Sequence, residues 1–389
     1  MTNPTADRRL GVMYGLAYGD ALGRPTEFIK GPQLAKFGPP FRDQVGLNTR
    51  RQGIVTDDTQ MAIAVAKAAM GSPDPALITS EFVFEFIRWY DDPKSRDGMR
   101  APGMTCMGAV AALKANPRQW LLATRPDSKG NGANMRVAPL ALRSDWTWDE
   151  MGQAAQLQAA ITHGHPTALA AAHLTAAAVR LLLEGIAKPG RALIDHLLII
   201  ASDQRGNYYG DALGMLWESH SKYAPFTSTL PTSKTGRLWE DDPTWPIGAT
   251  VKTLPNAKPI RPVAPAARTP QEYIARGWDE MTDALLKIYE APRDIWQDPC
   301  DVAGGGWVAE EALAAALHTL LCFPHNPTDA LRRAAFTDGD SDSIASITGA
   351  LAGAAYGRKA FPKEWIPNLE YRREMDSLTA RLANASGCR

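Results

Sequence analysis

TDDTQMAIAVAKAAM, residues 56–70, and DSDSIASITGALAGAAY, residues 340–356, share one pattern: an acidic cluster with hydroxyl residues, then an alanine-rich apolar run. Both runs are rich in helix-forming alanine and lack the polar–apolar alternation of a half-buried strand. Thr56 or Asp57 reads as a helix N-cap, and Asp340 to Ser343 precedes its helix in the same way. A cap needs one side-chain oxygen, however, and each cluster holds more. Two like charges about 4 Å apart repel by roughly 4 kcal/mol at an intermediate dielectric. If the fold brings Asp57, Asp58, Asp340 and Asp342 together, they need cations. Carboxylate and hydroxyl oxygens are the ligands hard cations prefer. The glutamate that closes an EF-hand loop has no counterpart here.

Outward from these two stretches, helical signals dominate. Gly11–Leu22, Thr59–Met70, Pro75–Tyr90, Thr105–Leu113, Thr147–Thr162, Thr167–Glu184, Arg191–Ala201, Pro270–Tyr289 and Trp307–Cys322 all read as helices. Alternating runs are almost absent, so no substantial sheet is expected. Two stretches break the pattern. Asp92–Thr105 is charged and bears glycine, and Tyr223–Arg268 is rich in proline, threonine and lysine. Because the acidic clusters flank the second stretch, it reads as a surface insertion in one domain rather than a linker. Long loops cost little stability and often carry specificity.

The bulk numbers narrow the field. The chain has 389 residues, enough for a large core, with Lys+Arg and Asp+Glu both at 42, so no global field favours nucleic acid or a membrane surface. Cys106, Cys300, Cys322 and Cys388 form no CxxC, which argues against a zinc ribbon and a disulfide framework and fits a reducing compartment. The opening MTNPTADRRLGVMYG has no apolar signal core, and no uninterrupted apolar stretch reaches membrane-spanning length. The expectation is a cytoplasmic protein.

Residues 15–28, GLAYGDALGRPTEF, place three glycines in an expected helix and turn, where glycine allows close backbone approach. Together with TDDTQMA and GDSDSIASITGALAGAAYG, in that order, this segment resembles the ADP-ribosylglycohydrolases. Ser128–Gly132 followed by Met135–Pro139, Ile161–His163, and Gly304–Val308 agree with the same family. The resemblance implies a single compact all-α domain over 1–389, with an insertion around 206–299 and a central cleft for two divalent cations, Mg²⁺ or Mn²⁺. It implies Thr56, Asp57, Asp58, Asp340, Asp342 and Ser343 as metal ligands, serine standing where the family usually has threonine. It places Glu27 in catalysis beside Asp58 and Asp342. ADP-ribose would meet Gly103, Thr105 and Gly108 in the phosphate loop, Ser128, Gly130, Asn131 and Gly132 in the glycine loop, and His163 at the distal ribose. Lys129 stands where some members have an aromatic residue.

The implied function is metal-dependent removal of ADP-ribose, the product, from an ADP-ribosylated protein, nucleic-acid or small-molecule acceptor. The alternative is an immunity-type protein that binds ADP-ribose or an ADP-ribosyltransferase; a pure binder would have no reason to keep all six oxygen ligands, whereas an immunity protein could block a toxin with the insertion while retaining the hydrolase site. His163-Gly164-His165 also admits a metal-pair reading, but with so many oxygens available one histidine reads as a hydrogen-bonding group and the other as structural. His173, among alanines and leucines, reads as a core or surface residue. The series Gly349, Gly353, Gly357 reads as close helix packing.

Overall fold

The computed structural model describes residues 4–43, 53–97, 100–207, 209, 213, 214, 216 and 270–384. Its helices are α1 Pro4–Gly23, α2 Asp57–Ala68, α3 Pro75–Asp91, α4 Met104–Ala115, α5 Trp120–Ala123, α6 Trp148–Ala160, α7 Pro166–Leu183, α8 Arg191–Gln204, α9 Pro270–Glu290, α10 Pro299–Ala303, α11 Ala309–Cys322, α12 Pro327–Ala334, α13 Ser341–Tyr356 and α14 Arg372–Asn384. Among the described residues, extended pairing is limited to two isolated bridges, Arg125 with His163 and Gly130 with Val308. The all-α expectation holds.

Sequence explains most boundaries. Thr147 and Glu150 form a reciprocal capping box at the start of α6. Asp74 caps α3 through Ala76 N and Leu77 N, with Pro75 in the first turn. Helices α5, α10 and α12 are too short to show a periodicity, and α14 is polar apart from the stripe Met375, Leu378 and Leu382, all buried. Those four helices go beyond the sequence reading.

Helix α7 is the hub. It is long and apolar enough to cross a membrane, yet all of it lies inside the protein, against α6, α9, α11 and α13. Helix α9, within the stretch expected as an insertion, buries Trp278, Met281, Leu285 and Ile288 and so belongs to the core. Tyr223–Arg268 lies outside the described residues. Cys106, Cys300 and Cys322 are free thiols.

The tightest contact joins α1 to α13. Gly11, Gly15, Gly19 and Gly23 recur every fourth residue, which stacks them on one face of α1. They meet Gly353, Gly349, Ala345 and the Ser341–Asp342 turn of α13, backbone against backbone: a Cβ built at Gly349 would strike the carbonyl oxygen of Gly15. Gly357 does a different job, ending α13 at a positive φ of 82°.

His173 bears out its structural reading. It lies 4% exposed in α7, edge-on to Trp278, with Nδ1 3.2 Å from the Gln156 amide. Burial lowers its pKa to about 4. In the unfolded chain a histidine titrates near 6.5, so between those values the unfolded state binds more protons and stability falls with acidification. Below about 4 both states are protonated and the loss is complete. His173→Gln is expected to flatten the dependence of the urea midpoint on pH between 6.5 and 4 relative to wild type; parallel curves would show that His173 does not carry it.

Candidate active site

The first acidic cluster sits on the opening turn of α2. Asp20, fully buried on α1, fastens that turn: its carboxylate accepts from Thr56 N at 2.8 and 3.0 Å, Thr59 N at 3.1 Å and Thr59 Oγ1 at 2.5 Å. Asp20 lies within the glycine motif of residues 15–28, but a buried aspartate aimed at another helix leaves no mark in spacing, so its role shows only in the fold. Thr56 Oγ1 accepts from Asp58 N at 3.3 Å. Asp57 accepts from Gly103 N at 3.4 Å, at the start of α4.

The second cluster opens α13. Asp340 N donates to Gly305 O at 2.8 Å, and Asn131 Nδ2 lies 3.5 Å from Asp340 Oδ2. Asp342 Oδ1 accepts from Ser343 N at 2.9 Å. The two clusters, 285 residues apart, meet where Ser343 Oγ lies 3.4 Å from Asp58 Oδ1. Glu27 arrives from the turn after α1. Thr26 Oγ1 donates toward Ala335 O at 2.6 Å and Gly23 O at 2.8 Å, and Ser341 Oγ donates to Gly23 O at 2.9 Å, so the turn is tied to the α12–α13 region. Ligand oxygens of Glu27, Asp340 and Asp342 all lie within 4.8 Å of one another.

Five carboxylates therefore converge, each less than a tenth exposed. Among the described residues, none forms a salt bridge with a basic side chain. Burial, and then the negative charge of Asp342, pushes Asp57, Asp58 and Asp340 well above the usual carboxylate range. Glu27 is pushed up to about 12 by burial and by Asp342, Asp340, Asp57 and Asp58. Burial raises Asp342 too, offset in part by hydrogen bonds with Asp340, Ser343 N and Glu27. Asp58 Oδ2 and Asn131 Oδ1 are buried without a hydrogen-bond partner. Uncompensated buried oxygens of this kind fit divalent cations, which would supply the missing positive charge.

A glycine-rich rim covers this floor. Asn131 N donates to Trp307 O at 3.0 Å and Ala309 N to Lys129 O at 2.9 Å, so the Ser128–Gly132 loop is stitched to the Gly304–Val308 loop. Thr105 and Ser128 hydroxyls are 3.4 Å apart, and Gly103, Thr105, Gly108, Ser128, Gly130 and Gly132 all retain exposed surface. The Lys129 ammonium is buried between Glu280 of α9, at 3.1 Å, and Glu310 of α11. An ion pair thus anchors the loop at that position.

His163 lies beneath the loop, 2% exposed, its ring against Gly130 and Gly132 and its Nδ1 2.8 Å from Thr162 Oγ1. Burial and neighbouring Arg136 depress its pKa to about 3 and keep it neutral. His165 caps α7 by accepting from Thr167 N at 3.2 Å. The two rings serve separate roles rather than forming a metal pair.

Together these features define a helical protein with a buried acidic, oxygen-lined cluster that could hold a metal ion, between two helix N-termini and roofed by glycine loops. A sequence profile of the ADP-ribosylglycohydrolases matches residues 1–389, and the chain belongs to that family of hydrolases, which remove ADP-ribose from an acceptor.

The chain is 36% identical over 182 residues to the ADP-ribosyl-[dinitrogen reductase] glycohydrolase of Rhodospirillum rubrum, a match covering 44% of this chain and 56% of that protein. It is 23% identical to the ADP-ribosylarginine hydrolase Tri1 of Serratia proteamaculans, over 97% of this chain and 79% of that one. It is 25% identical to human ADP-ribosylhydrolase ARH3, over 84% and 77% respectively. A solved ADP-ribosylglycohydrolase-related protein complex shares the fold with TM-score 0.60 at 24% identity, over 98% of this chain and 99% of the other.

Proposed function

We infer that this chain cleaves the glycosidic bond between ADP-ribose and its acceptor with two divalent cations, Mg²⁺ or Mn²⁺, held by Thr56, Asp57, Asp58, Asp340, Asp342 and Ser343. The observation that carries this reading is the convergence of five buried carboxylates with no basic partner among the described residues, one of them with an orphaned oxygen, Asp58 Oδ2. Cations bound there would lower the pKa of water and anchor the ribose diol.

The chain's own residues do the rest. Bond breaking passes through an oxocarbenium-like state. Glu27, the most exposed of the five carboxylates at 8%, is placed to exchange a proton with water or the ribose. The N–H groups around Gly103–Gly108 and Gly130–Gly132 take the diphosphate: Gly103 is the N-cap of α4 and offers no side-chain cap, and a helix N-terminus favours an anion. His163, neutral and buried, supports the glycine loop beside the distal ribose. The acceptor is an ADP-ribosylated protein, nucleic acid or small molecule.

Free ADP-ribose is expected to bind with Mg²⁺ or Mn²⁺ present and to lose most of its affinity with chelator, because the cluster then offers the ribose hydroxyls no fixed anchor. Calorimetry under both conditions tests this. Equal affinity, or no binding at millimolar ADP-ribose, overturns the reading.

Glu27→Ala is expected to cut turnover at least about a hundredfold, the usual order for losing an acid–base group, with the melting curve retained. Unchanged turnover on a panel of ADP-ribosylated substrates would make Glu27 a bystander.

A further inference from the structure

Arg136 belongs to the Met135–Pro139 segment that agrees with the family, and it has no part in the steps above. Its side chain is fully buried, and among the described residues no carboxylate forms an ion pair with it. A charge buried in this way costs free energy that its hydrogen bonds must offset. Three of its N–H groups meet oxygen: Nε donates to Gln158 Oε1 at 2.7 Å, and Nη2 donates to Gln158 O and to Thr162 Oγ1, each at 2.8 Å. Nη1 points at two sulfurs, Met61 Sδ at 3.5 Å and Cys106 Sγ at 3.6 Å, which are weak acceptors. The guanidinium carbon lies 4.4 Å from the centroid of the Phe86 ring. The group is thus held from α2, α3, α4 and the end of α6, and its oxygen partners all come from the Gln158–Thr162 turn.

That turn leads directly to His163. An arginine can only donate, so the Thr162 hydroxyl oxygen accepts from Arg136 and its own hydrogen is left for a second partner. Two are in reach: His163 Nδ1 at 2.8 Å and Ala159 O at 3.5 Å. The first has the usual length of a hydroxyl hydrogen bond, and the second lies at the outer limit. Thr162 therefore donates to Nδ1. A neutral imidazole that accepts at Nδ1 carries its proton on Nε2, and His163 is neutral because burial, and then Arg136, lower its pKa to about 3. The opposite tautomer would turn the Thr162 hydroxyl toward the distant Ala159 carbonyl. Nε2 faces the glycine loop: a Cβ built at Gly130 or Gly132 would lie 3.3 Å from it. Glycine at both positions leaves room for a ligand oxygen to reach the Nε2–H.

We propose that Arg136 is a positioning residue for the hydrolase: acting through Thr162, it holds His163 as the Nε2–H tautomer, a hydrogen-bond donor to an oxygen of bound ADP-ribose. This rests on the hydrolase reading and adds to it the group that sets the donor. Long-range ¹H–¹⁵N NMR of the labelled wild type, with His163→Gln to assign the ring, is expected to show Nε2 protonated and Nδ1 bare. Thr162→Val keeps the shape without the hydroxyl. It is expected to weaken free ADP-ribose binding roughly two- to tenfold in calorimetry with Mg²⁺ or Mn²⁺, the scale of one hydrogen bond, with the melting curve retained. Thr162→Ser keeps the hydroxyl and should restore affinity. Arg136→Met should give a similar loss, and Arg136→Met combined with Thr162→Val no more than either alone, because residues acting through one another do not add.

Unchanged affinity in Thr162→Val overturns the proposal. So do losses that add in the double variant, which would make Arg136 a packing residue acting on its own. Where Arg136→Met does not fold, the ring NMR and the Thr162→Val and Thr162→Ser pair still decide. A ring protonated at Nδ1, beside intact ADP-ribose binding, sinks the relay and leaves the hydrolase standing. No ADP-ribose binding by the wild type at millimolar concentration sinks the hydrolase reading and the positioning role with it.

Discussion

Asp342→Asn is expected to lower turnover by roughly 10³-fold or more, the scale of several kcal/mol of lost charge stabilisation at 1.36 kcal/mol per decade. The same variant should make the metal-free protein melt higher than wild type. Asp342 is the charge that Asp57, Asp58, Asp340 and Glu27 all feel first after burial itself. Asparagine keeps the shape and the acceptor for Ser343 N while removing that repulsion. Each kcal/mol of relief raises Tm by about 2 °C or less in a domain of this size. Added Mg²⁺ or Mn²⁺ should then give little of the further rise shown by the wild type, because a ligand stabilises only the folded state that binds it. Thermal melts with chelator and with cation read both effects. A metal-free variant that melts lower, with an intact cation-induced rise, would show that Asp342 is a structural cap and not a cation ligand.

Gly349→Leu should prevent stable folding, and Gly349→Ala should cost several kcal/mol. Helix propensity alone predicts the opposite sign, since alanine gains about 1 kcal/mol over glycine inside a helix. The contact decides. A Cβ at Gly349 would strike the Gly15 carbonyl oxygen and carbon, and backbone cannot rotate aside as a side chain does. Helices α1 and α13 must separate, opening the seam from Gly11 to Gly23. Overpacking costs about 1–3 kcal/mol or more in ordinary cores, and a rigid backbone contact belongs at the upper end. The same seam sets the site, because Gly23 abuts Asp342 and Glu27 follows four residues later. Gly349→Ala should therefore also weaken cation binding, although it lies two turns from the cluster. A urea midpoint at or above wild type would refute the seam as the tightest constraint on the fold.

By itself, the sequence determined the element types. Alanine-rich apolar runs bounded by Asp, Thr, Pro and Gly can hardly be anything but helices, and nine of the expected segments are helical, with ends displaced by three residues at most except that α1 starts at Pro4, seven residues before the expected Gly11. Short segments such as Pro299–Ala303 escaped because one turn shows no period. The sequence also named the oxygens: two clusters with more carboxylates than a cap needs point to a cation wherever they meet.

That they meet was decided only by the tertiary structure. Local sequence does not encode that Ser343 comes within 3.4 Å of Asp58; the glycine seam of α1 on α13 does, by holding two backbones closer than any side chain would allow. Asp20 has the same origin. It reads as one more acidic residue in a glycine motif until the fold buries it and turns it toward the orphan N–H groups of α2, where lost solvation leaves a hydrogen-bonded carboxylate as the stable solution. Lys129 became an ion-paired anchor because α9 and α11 each bring a glutamate to it from far along the chain. Local propensity follows from neighbours in sequence, whereas charge compensation, burial and helix approach depend on neighbours in space.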